Sequence, residues 1–109
     1  MIKVTYCRHH NSVTVEGHAQ SGEKGHDLVC ASASILVYTL ASFIENMKEA
    51  KQLGDYDYFL VLEEGNAWIE CDPRRKFKPA ITLVFDSICA GFELLAKDYP
   101  DNVSYEMIP

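Results

Sequence analysis

A histidine and a cysteine bracket one short glycine-containing stretch of this chain, residues 17–34, GHAQSGEKGHDLVCASAS. Cysteine acts as a nucleophile through its thiolate, and a nearby imidazole can take the thiol proton and pass it to a leaving group. His18 and Cys30, at the two ends of the connector, have the chemistry to divide that work. Asp27 stands directly before the apolar run Leu28-Val29-Cys30-Ala31, where a helix N-cap belongs. With Asp27 as the cap, Cys30 becomes the third residue of the helix. Unpaired backbone N–H groups and the helix dipole favour an anion there, whether a thiolate or the oxyanion of an acyl-transfer intermediate. Ser34 follows Cys30 by four residues and shares its helical face, a position from which serine commonly bonds a carbonyl of its own helix. Gly22 and Gly25 let the connector 19–27 bend, so it can open to a peptide and close against water.

The elements that position these groups are legible as periodicities. Residues 2–6 alternate, with Ile2, Val4 and Tyr6 on one face and Lys3 and Thr5 on the other, which predicts a strand. A polar turn at 8–12 leads into a second strand at 13–16. Neighbouring side chains on an extended chain point to opposite sides, so His9 and His10 read as solvated turn residues and not as a chelating pair. A helix is expected over 28–51 with Gly54 as its stop. Its buried stripe is read as Leu28, Ser32, Ile35 or Leu36, Thr39 or Leu40, Phe43 and Met47. Runs at 58–63 and 67–71 around Glu64-Gly65-Asn66 make the clearest hairpin, with Trp68 packed over the sheet. The basic segment 72–79, DPRRKFKP, reads as a solvated connector, and Pro79 suits the first turn of a second helix. That helix buries Ile81, Val84 or Phe85, Ile88, Phe92, Leu95 and Tyr99, ends at Pro100, and precedes a last strand at 103–107. The order ββαββαβ gives an α+β fold, a mostly antiparallel sheet packed with two long helices. His18 then leaves a strand end facing the start of the first helix.

The whole chain sets the bounds. At 109 residues it is read as a single domain, 1–109, able to bury a core without metal or disulfide staples. No uninterrupted apolar run reaches the ~20 residues of a membrane span, and the first ten residues lack the features of a signal peptide. A cytoplasmic, non-membrane protein is therefore expected. Cys7, Cys30, Cys71 and Cys89 form no CxxC or zinc-like quartet, so no metal or other cofactor is expected, and the other three cysteines read as packing residues. The formal charge of −6 argues against direct nucleic-acid binding and suits a basic peptide partner.

The motif GHA, a glycine-containing loop and DLVCA followed by small residues resembles the ribosomal-processing cysteine proteases of bacteria (the Prp family). The resemblance implies Cys30 as nucleophile, His18 as base, and Asp27 and Ser34 as supporting residues. It further implies a homodimer, and an endopeptidase that removes the N-terminal extension of a large-subunit ribosomal protein, cutting after an apolar, aromatic-containing sequence. The competing reading is a non-catalytic ribosome-assembly module that binds through Arg74, Arg75, Lys76 and Lys78 and keeps Cys30 as a structural thiol.

Overall fold

The computed structural model describes residues 1–18 and 27–109. The chain runs β1 (Ile2–Cys7), β2 (Ser12–Glu16), α1 (Leu28–Glu49), β3 (Tyr58–Glu63), β4 (Asn66–Cys71), a short 3-10 turn (Arg75–Phe77), α2 (Lys78–Asp98) and β5 (Val103–Ile108). The strands form one sheet in the order β3-β4-β2-β1-β5. All neighbours pair antiparallel except β1 and β5, which are parallel; α2 carries the chain across the sheet from β4 to β5. The expected α+β class and the ββαββαβ order are what the structure shows.

Both helices lie on the same face of the sheet: α1 contacts β4, α2 contacts β5, and the helices contact each other. The strands alternate accordingly. Ile2, Val4, Tyr6, Val13, Ala67, Ile69 and Val103 are buried under the helices. Trp68 stands on the opposite, open face, 42% exposed, donating its indole N–H to Ser12 Oγ at 3.2 Å and meeting Phe59 edge-on at 4.9 Å. It packs on the sheet as expected, away from both helices.

The α1 stripe differs from the sequence reading. The buried residues are Val29, Ala33, Val37, Leu40, Ala41, Ile44 and Met47, while Leu28 is 74% and Ile35 63% exposed. The helix is apolar nearly all round, so periodicity alone does not fix its phase; small Ala33 and Ala41 face inward and let it approach the sheet. Both helices are in fact long and apolar enough to pass for membrane spans by length and composition, a resemblance hidden from a count of uninterrupted apolar residues because serine and threonine, and in α2 also Asp86 and Glu93, break the runs. The helix also stops before Gly54. Lys51 takes the left-handed conformation at φ +62, and Gln52 N–H reaches Met47 O at 2.9 Å while Lys51 N–H reaches Lys48 O. This is a Schellman closure with lysine where glycine is usual.

In α2 the buried residues are Ile81, Phe85, Cys89, Phe92 and Leu95; Ile88 packs beside them, and Tyr99 is the exposed C-cap and not a core residue. The helices meet closely where Leu36 packs on Gly91: a methyl group at position 91 would stand 2.8 Å from Leu36 Cδ2. The β1–β2 turn is fastened to α2. Buried Asn11, at φ +47, donates to Arg8 O and Thr82 Oγ1 and accepts from Lys78 Nζ, which also donates to His9 O at 2.9 Å. His9 and His10 are exposed, as expected, but their rings lie edge to face at 5.2 Å, because the chain turns there and is not extended.

Candidate active site

The sheet extends past α1 on its β3 side, and a cavity of about 670 Å³ opens between the start of α1, the end of β2 and the β3–β4 turn. Asp27 caps α1 as expected: its Oδ1 accepts from Val29 N–H and Cys30 N–H, both at 3.0 Å. Cys30 is therefore the third helical residue, half-buried and facing the cavity. Ser34, one turn later, lines the same cavity; the serine bonded back to its own helix is Ser32, at 2.7 Å from Leu28 O.

His18 lines the cavity too. Strand β2 ends at Glu16, and Gly17 takes φ +95 beside the Met1 carbonyl, where any side chain would collide with it. Gly17 N–H bonds Gly65 O at 2.9 Å, and His18 follows, exposed, against the β3–β4 turn. The structure thus brings His18, Asp27, Cys30 and Ser34 to the walls of one cavity. The connector residues Gly22 and Gly25, with the hinge expected of them, lie outside the described residues.

The lining is largely apolar, with Val15, Val37, Tyr38, Leu62 and Ala67, and Glu63 and Glu64 also border the cavity. Sequence reasoning missed this half of the site. The turn Glu64-Gly65 was legible as a turn, but its place beside His18 depends on β4 pairing with β2, Glu16 opposite Asn66, a long-range register that local patterns do not carry. The N–H groups of Val29, Cys30 and Ala31 all bond Asp27, the last through its backbone carbonyl at 3.0 Å, so these three donors of the first turn are already engaged.

The remaining cysteines are of a different kind. Burial, helped by the carboxylates of Asp57 and Asp72, pushes the Cys71 thiol up to about 12. Burial, and the carboxylate of Asp86, do the same to Cys89. None of the four cysteines forms a disulfide among the described residues. The basic residues Arg74, Arg75 and Lys76 are exposed, with Arg74 and Lys76 set against the Phe77 ring, and none lines the cavity. Trp68, on the far side of the sheet, is not a cavity wall either.

A half-buried thiol at a helix start, with an imidazole and a largely apolar lining on the same cavity, suits acyl transfer from a peptide. The family of cysteine protease Prp matches residues 1–104. The chain belongs to that family. The ribosomal processing cysteine protease Prp of Bacillus subtilis (strain 168) is 31% identical over 114 residues, covering 94% of each chain. Two crystal structures of the essential ribosomal processing protease Prp from S. aureus share the fold. The complex with a covalently linked product peptide has a TM-score of 0.71 at 20% identity, covering 97% of this chain and 96% of the other. The complex with a substrate peptide has 0.67 at 18% with the same coverage. Membership of the Prp family makes this chain a cysteine protease and decides against the non-catalytic module.

Proposed function

We propose that this protease removes the N-terminal extension of a large-subunit ribosomal protein, with Cys30 as nucleophile and His18 as base. The observation that carries the reading is that these two residues, from α1 and from the end of β2, line one cavity. His18 takes the Cys30 proton, Sγ attacks the scissile carbonyl, and the tetrahedral adduct collapses to a thioester as His18 protonates the departing amine. Water, its proton taken by His18, then attacks the thioester and releases the new carboxylate and the thiol. The covalently linked product in the S. aureus relative supports a covalent intermediate, and the relatives' role in ribosomal processing supports the substrate class. Asp27 serves by fixing the first turn that holds Cys30, and Ser34 as a polar group beside the reacting peptide. The largely apolar lining receives an apolar or aromatic side chain, and the charge of −6 draws in a basic substrate.

The reading extends to a cytoplasmic homodimer. Outward faces of the two helices leave Leu28, Ile35, Leu83 and Leu94 more than half exposed, an apolar surface that a second copy would cover. Light scattering at micromolar concentration tests the dimer, and a mass of 12.3 kDa excludes it. The activity is tested by incubating the protein with a ribosomal protein bearing its intact N-terminal extension and measuring the product masses. Loss of the extension with wild type, and its retention with Cys30→Ala, is expected. Retention with both overturns the substrate assignment.

A further inference from the structure

His18 is exposed, and its imidazole lies close against Gly65, in the β3–β4 turn. A methyl group at position 65 would stand 2.7 Å from His18 Nε2 and 3.2 Å from Cε1, closer than such atoms approach. Turn geometry alone does not require glycine there. Gly65 has φ +73, yet this chain places Asn11 at +47 and Lys51 at +62, and asparagine is a common occupant of that region. What position 65 lacks room for is a Cβ beside the imidazole. The same residue also holds the strand end that delivers His18, because Gly65 O accepts the Gly17 N–H at 2.9 Å. The histidine's backbone and its ring are thus referenced to one residue.

We propose that Gly65 is a positioning residue for the protease: its bare Cα is the shelf on which the His18 imidazole rests, and the shelf sets where the ring stands relative to Cys30. The inference rests on His18 acting as the base. The atoms a new methyl group would meet are the far end of a mobile side chain and not backbone, so a substitution displaces the ring and leaves the hairpin standing. Displacement of a catalytic group by about 1 Å is enough to cost about a hundredfold in rate.

The test compares Gly65→Ala, Gly65→Asn and His18→Ala with wild type. It reads peptide cleavage, melting temperature and the pH profile of Cys30 alkylation by iodoacetamide, the last needing no substrate. Gly65→Asn, which suits the turn, is expected to melt close to wild type. It should still lose about a hundredfold in kcat with little change in KM, and its alkylation profile should match that of His18→Ala. Gly65→Asn in the His18→Ala background should cost nothing further. A Gly65→Asn protein that cleaves at the wild-type rate, while His18→Ala is inactive, overturns the shelf and leaves the dyad standing. A His18→Ala protein that cleaves normally removes the dyad itself. Equal further losses in the double variant assign Gly65 a role apart from His18 and also overturn the proposal.

Discussion

Asp27 Oδ1 accepts the backbone N–H of Cys30 at 3.0 Å, so the carboxylate that starts α1 also fixes the backbone of the residue bearing the thiol. The bond makes the cap separable by substitution. Asp27→Ala should cost about 1 kcal/mol in urea unfolding, whereas Asp27→Asn, which keeps an accepting oxygen, should cost much less. Equal losses for the two variants would mean that the negative charge, and not the cap, stabilises this helix start.

Cys71 and Cys89 are held as neutral thiols by burial, which pushes each up to about 12. Brief alkylation of the native protein at neutral pH should therefore mark neither, while Cys30, half-buried on an open cavity, reacts first. Mass mapping of the labelled peptides checks this. Preferential labelling of Cys71 or Cys89 would contradict the structure at its core.

Cys30→Ala should abolish peptide cleavage with little change in melting temperature, since a third helical position accepts alanine readily. His18→Ala should lower cleavage by about a hundredfold or more, and the double variant should be no worse than Cys30→Ala alone, as for groups that act as a unit. Ser34→Ala should cost less than either. Losses that multiply in the double variant would separate the two residues mechanistically.

A second polar cluster lies at the other end of the sheet. The Arg8 guanidinium bonds Asp86 through Nε and Nη2 at 3.0 Å each, and the buried Tyr6 hydroxyl donates to Asp86 Oδ1 at 2.8 Å. Arg8 first, and the Tyr6 hydroxyl after it, hold the Asp86 carboxyl below its usual range against the opposing effect of burial. A carboxyl lowered on folding adds stability that is complete above its ordinary value and is lost as pH falls through the lowered one. Between about pH 5 and pH 3 the melting temperature of wild type should thus fall further than that of Asp86→Asn. Parallel decline of the two proteins would show that this cluster carries no pH-dependent stability.

The parts of the site that were legible in the sequence are those set by local chemistry. A cap places Cys30 in the first turn whatever the rest of the chain does, and the alternation of Ile2, Val4 and Tyr6 survives because strand faces have a period of two. The phase of α1 was not legible, since Leu28, Ile35 and Leu36 are as apolar as the residues that face the sheet. Nor was the wall formed by Glu63, Glu64 and Gly65, whose nearness to His18 is created by pairing across β2 and β4. The helix end at Lys51 shows the same limit: a hydrogen-bonded closure overrode the nearest glycine.

The seating of Leu36 on Gly91 makes those two positions share a fixed volume. Neither can grow alone: a side chain added at 91 must either push the helices apart or be met by a smaller residue at 36. Among related chains the pair should therefore vary jointly, with a bulkier residue at one position matched by alanine or glycine at the other. The crossing point of the helices is, in this sense, written in two letters 55 residues apart.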